Sequence, residues 1–432
     1  MTTISRTALS SPSTDGHRLL QLWCGVACMV AISSPQYVWT LFTSPLMKEF
    51  RVSLAEIQVT FSILIVLQTF LSPFQGFLVD KLGPRLLLGL GTALTGLSWV
   101  LAGLARNVLE LYLSYGVLGG IGTGTVYVGV VGLVVQWFPE RRGFASGLVA
   151  AGYGMGAILT TLPISGSLTG MGYRATLMVY GTVFGLAGLL ISQALRRPPS
   201  ALRGSGTGAG QRKSARPTQM LKSPVFWVMF GMMTLMSTSG LMVISQMGAF
   251  AKDFGVANVM VLGTAALPLA LTLDRCTNGL TRPLFGWISD RIGRENTMFM
   301  AFALEALAMT AWLATRQSPV TFVLLSGIVF LGWGEIFSLF PATLTDTFGT
   351  EHATANYGCL YMAQGVGSVL GGPLAAMLHQ ASGSWTVVFQ IMIAMDATAA
   401  LAALLILKPM RRQAALRERE WPLPAGGVAA DL

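Results

Sequence analysis

Charge is scarce in this chain: 11% of its 432 residues are Asp, Glu, Lys or Arg, against 53% hydrophobic, with a mean hydropathy of +0.63. So little polar surface cannot coat a water-soluble globule of this length, so a bilayer must supply the missing apolar surroundings. Cysteine is scarce too. Cys24, Cys28, Cys276 and Cys359 all fall in apolar stretches and lack CxxC pairing, so free thiols, no metal and no cofactor are expected. His17, His352 and His379 fall at watery ends or loop edges, where a solvated histidine is the default. There is no HExxH, no GxxxxGK[ST] phosphate loop and no nucleophile–base pairing, so an enzyme is not expected. The start, Met1 to Gly16, is polar, and the first apolar stretch lacks a small-residue cleavage site. That stretch reads as a permanent anchor, with no removable signal peptide.

What the chain does have is apolar stretches long enough to cross a membrane, which takes ~20 residues per helix. Twelve can be placed, near 20–43, 54–79, 86–105, 109–136, 144–168, 174–195, 224–250, 258–288, 297–315, 319–345, 355–379 and 385–407. Their polarity does not alternate, which excludes a barrel, and helices satisfy every backbone amide within lipid. The net charge of +10 could suggest a nucleic-acid binder, but the basic residues fall on one side. Twenty of the 28 Lys and Arg lie in the termini or in every second loop, and six lie in the other loops. That asymmetry places both termini in the cytoplasm of an inner-membrane protein, with lipid and not nucleic acid as its surroundings.

The phrase Gly76-Phe-Leu-Val-Asp80-Lys-Leu-Gly83-Pro-Arg85 returns as Gly286-Trp-Ile-Ser-Asp290-Arg-Ile-Gly293-Arg-Glu295, shifted by 210 positions. At the same offset Trp137-Phe138-Pro139 faces Thr347-Phe348-Gly349. The stretch 196–222, with Pro198-Pro199, a Gly/Ser run and seven basic residues, reads as a flexible cytoplasmic linker. The expected organisation is therefore a tail (1–19), a six-helix bundle (20–195), the linker, a second six-helix bundle (223–408) and a tail (409–432). Two such halves in the same orientation enclose a path between them, which rocking opens to each side in turn. A monomeric all-α membrane protein that moves solutes is the expectation. In the repeated loops, Asp80, Arg85, Asp290 and Arg294 are candidates for a conformational latch.

The least membrane-like chemistry lies in Asp274-Arg275-Cys-Thr-Asn278-Gly-Leu-Thr-Arg282-Pro283, inside the eighth stretch. At ~100° per residue Arg275 and Arg282 are nearly eclipsed, and Asp274, Asn278 and Arg282 step along an adjoining line. Each charge at a helix centre is disfavoured by ~2.5–3.5 kcal/mol on insertion scales, so the stripe must face a partner or a water-filled cavity. Asp274 can neutralise only one arginine. An anion would supply the missing partner, and guanidinium matches carboxylate in a two-pronged hydrogen bond. Arg282 is the candidate anchor, the alternative being a structural ion pair; for Asp274 and Arg275 a structural pair is set against substrate contact.

The repeated Gly-x-x-x-Asp-x-x-Gly loop resembles the signature of the major facilitator superfamily. More narrowly, Gln36-Tyr37-x-Trp39-Thr40, Trp137-Phe138-Pro139-x-x-Arg142-Gly143-x-Ala145-Ser146-Gly147, Ala150-Ala151-Gly152-Tyr153-Gly154 and Asn278-Gly279-x-x-Arg282-Pro283 resemble the oxalate:formate antiporter family. The resemblance covers nearly all of 20–408 and implies secondary transport of small carboxylates without ATP hydrolysis. It also implies that the arginine before proline, Arg282, holds the substrate. The oxalate-specific member is understood to use a lysine in the eleventh span as well, where this chain has Gln364. Glutamine donates hydrogen bonds without charge, which favours a monoanion over a dianion, although Arg275 could restore the second charge.

Tyr37, Tyr127, Tyr153, Trp333, Phe337 and Tyr361 occupy positions resembling the aromatic lining of that family's cavity. Hydroxyl and indole tips would give a small planar carboxylate an apolar wall with a few donors. Glu305, Glu335 and Asp396 also fall inside apolar stretches. Of these Glu335 is the best placed to carry a coupling proton, but a structural counter-ion to Arg275 is the preferred reading of it. The expected function is a secondary carrier of small organic anions, more a monocarboxylate than oxalate. Antiport and proton symport both stay open, as does a membrane sensor of the same anions.

Overall fold

The computed structural model describes residues 12–199 and 214–420, and among these the chain is helical almost throughout. The ends of the expected tails and the middle of the expected linker lie outside the described residues. Eight helices are long and apolar enough to cross a membrane, or nine when Leu54–Phe70 and Ser72–Leu82, bent by 51°, count as one span. The unit Arg142–Ser192 is 51 residues long, about twice what a bilayer needs, and breaks at Gly172, where φ is 78°. It therefore supplies two spans, the fifth and sixth. Ala266–Ile292 and Ala353–Ser382 have the length of spans but a more polar make-up, and they are the eighth and eleventh. These complete the twelve-helix fold.

Each departure from a straight helix has a local cause. The eighth span starts at Ala266 and not at 258, because Met260–Val261 and Thr264–Ala265 pair as a small hairpin. Its turn, Leu262-Gly263, takes positive φ at both residues (51° and 82°), the geometry that suits a two-residue hairpin. The tenth span is broken between Pro319–Trp333 and Ile336–Phe348, so Gly334 and Glu335 sit at a mid-membrane joint. The fourth span, Val108–Trp137, passes through a π segment at Tyr112–Leu118.

The repeated phrase now has a physical meaning, position by position. Its last glycine, Gly83 or Gly293, takes φ of 100° or 95° and turns the chain sharply from one span to the next. Its first glycine lets a helix of the opposite half lie against bare backbone. A Cβ on Gly286 would collide with the carbonyl of Gly143, and one on Gly76 with the backbone of Thr354. Its aspartate accepts hydrogen bonds from the start of that same opposing helix. Asp290 takes the Gly143 and Phe144 amides (3.0 and 2.9 Å), and Asp80 takes the Ala355 amide (2.8 Å). A carboxylate at a helix N-terminus satisfies orphan donors and complements the macrodipole.

Arg294 completes this end, bonding Asp290 (2.6 Å) and Asp346 (2.8 Å), and Arg142 pairs with the same Asp346. Arg85 does not join the expected latch: it is exposed, and at the 210-residue offset the place of Arg294 is taken by Pro84, which starts the third span, Pro84–Leu104. Arg197, from the end of the sixth span, instead donates to the Val79 and Asp80 carbonyls. The halves thus meet tightly at the end that carries the repeated loops. Among the described glycines, no close approach between them lies farther along than Gly279 against Met155 and Gly365 against Thr69. Gly286→Val should therefore prevent this end from closing. We expect transport in proteoliposomes to fall at least tenfold while far-ultraviolet circular dichroism stays unchanged; normal transport would mean that closure does not need the contact.

Candidate functional site

Arg282 lies where the fifth and eighth spans cross at the seam. Its position follows from packing: a Cβ on Gly147 would strike the Arg282 carbonyl, and a Cβ on Gly154 would lie 3.1 Å from the guanidinium carbon. The side chain is only 2% exposed. Nη1 donates to the Ala150 carbonyl (2.6 Å), Nη2 donates to the Asn278 amide oxygen (2.8 Å), and Nε has no partner. No carboxylate of the described residues makes an ion pair with it. Glu335 interacts with it electrostatically, without a bond. The guanidinium also lies over the Phe337 ring, 4.5 Å from its centroid, a cation–π contact that is worth up to ~2 kcal/mol when desolvated. This is a permanent charge held by neutral groups, with an unused buried donor.

The aromatic residues gather around it as a continuous cluster drawn from both halves. Tyr127 stands at the centre, 4.8 Å from Tyr361 in a stacked pair, 5.0 Å edge-on to Tyr153 and 6.4 Å from Phe337. Tyr37 meets Tyr153 at 5.5 Å, and Trp333 meets Phe337 at 5.8 Å. The Trp333 indole does not offer its N–H to the centre as expected. It donates to the Met236 carbonyl at 2.8 Å, because Gly240 lets the ring lie flat against the seventh span, Pro224–Asp253. The hydroxyls of Tyr127 and Tyr357 are buried and face each other.

Sequence reading did not single out Tyr357, Gln68 or Gln36 as site residues. Gln68 donates to the Tyr153 and Tyr361 hydroxyls (3.1 and 3.3 Å), and the Tyr153 hydroxyl donates to Gln36 (2.5 Å). This chain of bonds ties the first, second, fifth and eleventh spans together. The available signal was a glutamine inside each of two otherwise apolar spans.

The rest of the polar stripe divides. Asn278 spends its amide oxygen on Arg282, and so orients the guanidinium. Asp274 is buried beside Ser326, whereas Arg275 is exposed. The expected Asp274–Arg275 ion pair does not form, because consecutive helix residues point ~100° apart. Arg275 instead stands ~10 Å from Arg282 along the same helix face, away from the closed end. Gln364 is buried, its amide oxygen free, one turn beyond Tyr361 on the eleventh span. It makes no hydrogen bond to Arg282.

Twelve spans in two related halves, meeting around a buried charge and a ring of tyrosines, define a membrane transporter. The Major Facilitator Superfamily model matches residues 22–273 and 269–427, and the chain belongs to that superfamily. It is 33% identical over 383 residues to the oxalate:formate antiporter of Oxalobacter formigenes, covering 87% of this chain and 88% of that protein. It is 26% identical over 333 residues to monocarboxylate transporter 13 of Rattus norvegicus, covering 76% and 75% of the two chains. An uncharacterised MFS-type transporter of Escherichia coli, YhjX, is 26% identical over 335 residues, covering 77% of this chain and 81% of its own.

Proposed function

We propose that this protein is a secondary carrier of small monocarboxylates, working by alternating access, with Arg282 as the group that holds the carboxylate. The observation that carries the reading is the guanidinium itself: it is buried at the seam, lacks an acid partner and has a free Nε donor. An anion seated there would form a two-pronged bond and cancel a charge that costs several kcal/mol to bury alone. The buried hydroxyls of Tyr127 and Tyr357, which face each other, are suited to turn and donate to the same anion. The named activities of two relatives, oxalate:formate exchange and monocarboxylate transport, support this class of cargo. The bias of basic residues supports cytoplasmic termini in an inner membrane, with the repeated loops on the cytoplasmic side.

Counterflow of labelled formate, acetate, lactate, pyruvate and oxalate in proteoliposomes tests the reading, with protein-free liposomes as the blank. Exchange of none of the five would end it. A second reading, exchange of oxalate for formate, is favoured by the 33% identity to the antiporter and by Arg275 as a second positive charge on the Arg282 face. Gln364 decides between them on charge. We expect Gln364→Lys to move the oxalate-to-acetate uptake ratio towards oxalate by about tenfold, the worth of one added charge-assisted hydrogen bond at ~1.5 kcal/mol. An unchanged ratio would remove the charge-matching argument.

A further inference from the structure

Arg282 is not the last cation on its face of the eighth span. The halves touch as far as Gly279, where a Cβ would meet the Met155 side chain of the fifth span. Arg275 stands one turn beyond that point, ~10 Å from Arg282. Helical side chains tilt towards their own N-terminus, so Arg275 leans away from the closed end. A step of seven residues leaves its direction ~20° from that of Arg282, which faces the seam. The lipid side of the same helix runs through Leu280, Leu284 and Trp287, exposed apolar residues ~140–200° away from Arg282. The exposure of Arg275 is therefore exposure to the space between the halves. Across that space the fifth span continues past Gly154 with Ile158 and Leu162, which are exposed and apolar and offer no counter-charge.

No acid of the protein answers this charge. Among the described residues Arg275 makes no ion pair. Its neighbour Asp274 attracts it through space but is buried in the second bundle beside Ser326. Glu335, the expected counter-ion, interacts with Arg282 instead. The acids at the open end are engaged elsewhere. Glu49 pairs with Arg174 (2.8 Å), and Glu56 closes a capping box with Ser53. Glu110 accepts from the Arg106 amide and the Asn107 side chain, and Asp253 accepts from the Trp385 indole. An unanswered cation between low-dielectric walls raises the local concentration of small anions.

We propose that Arg275 forms a second anion site, separate from Arg282, which captures the carboxylate at the entrance of the open path and passes it inward to Arg282. This rests on the carboxylate reading of Arg282. The two guanidinium groups divide the work by depth. Arg275 stays in water, so it holds an anion weakly and acts mainly on the rate of entry, an effect that salt screens. Arg282 is buried and makes the lasting two-pronged bond, which salt screens much less. Once an anion has moved on to Arg282, Arg275 is free to draw the next. Arg275 therefore sets the concentration at which transport saturates, and Arg282 sets whether it occurs.

Attraction at Arg275 is measurable without transport. With the four native cysteines replaced by serine, Leu271→Cys places a thiol one turn beyond Arg275 on the same face, at a position 39% exposed. Its rates of reaction with an anionic and a cationic methanethiosulfonate of similar size report the local sign of charge. Arg275→Gln should lower the anionic-to-cationic rate ratio at least fivefold, and Arg275→Lys should hold it within about twofold. In about 1 M salt, where the screening length is ~3 Å, the difference should largely vanish. In proteoliposomes, Arg275→Gln should raise KM for pyruvate uptake about fivefold with the maximal rate within twofold of wild type, and Arg275→Lys should restore KM. An unchanged rate ratio, or a Leu271→Cys thiol that reacts with neither reagent, would show that Arg275 does not command an open path. An unchanged KM would show that capture there does not serve transport, and any of these results overturns the proposal. Wild-type protein that exchanges no carboxylate would end the reading of Arg282 and the transport role of Arg275 with it, while the rate ratio would still show whether Arg275 draws anions.

Discussion

Arg282→Ala should reduce carboxylate counterflow to the level of protein-free liposomes. Removing one partner of a buried, hydrogen-bonded charge pair costs ~2–5 kcal/mol, which is a fall of about 30-fold or more in affinity. The empty protein should tolerate the change, because the groups that hold the guanidinium are neutral. The Ala150 carbonyl keeps its place in a helix, and the Asn278 amide loses one bond. Arg282→Lys separates charge from geometry: an ammonium on Phe337 keeps the sign but cannot make the two-pronged bond, so roughly tenfold weaker uptake is expected. Uptake by Arg282→Ala within twofold of wild type would show that the cargo sits elsewhere. An Arg282→Ala protein that loses uptake but also loses its melting transition would be uninformative, so thermal unfolding in detergent should be measured on the same preparation.

Much of this site was legible in the sequence because membrane helices impose a strict period. The seven-residue spacing of Arg275 and Arg282 placed both on one face, and the structure keeps them there. What the period could not convey was depth. Arg275 is exposed and Arg282 is buried at the seam, a difference set by packing against the fifth span at Gly147 and Gly154. The repeat at 210 residues announced two equivalent bundles. It could not announce that its glycines matter for the helix lying across from them, since Gly286 meets Gly143 through space and not along the chain. Apolarity alone also misled at one boundary: residues 258–265 are apolar enough to extend the eighth span, yet Gly263 supplies the positive φ that makes them a hairpin.

Individual side chains were harder to assign than spans. A tryptophan in a helix has two candidate fates for its N–H, and composition does not choose between them. Trp333 gives its N–H to Met236 because Gly240 leaves room for the ring, a fact held by another helix. The tyrosines were easier, since several hydroxyls in one membrane-spanning region need polar company, and they found it in Gln68, Gln36 and one another.

Asp290→Asn should unlock the closed end. Asp290 accepts two amides from the opposite half and pairs with Arg294, and each hydrogen bond to a charged group is worth ~1.5–3 kcal/mol. Neutralising it weakens both contacts that cross the seam, so the open form of this end should gain by ~3 kcal/mol, about 150-fold in population. Asp80→Asn should act in the same direction but less, since Asp80 holds a single amide across the seam. A reporter cysteine at Thr354 can measure this, because that side chain is 1% exposed when the halves are closed, and a cysteine fits where a larger group would not. With the four native cysteines replaced, labelling at Thr354→Cys by a membrane-impermeant maleimide should be slow in the parent. It should accelerate strongly in Asp290→Asn and most in the double variant. The pairing of Asp346 with both Arg142 and Arg294 bears on the size of the effect, since it continues to join the halves after Asp290 is neutralised. Equal labelling rates in all the proteins would mean that these carboxylates cap helices without holding the halves together.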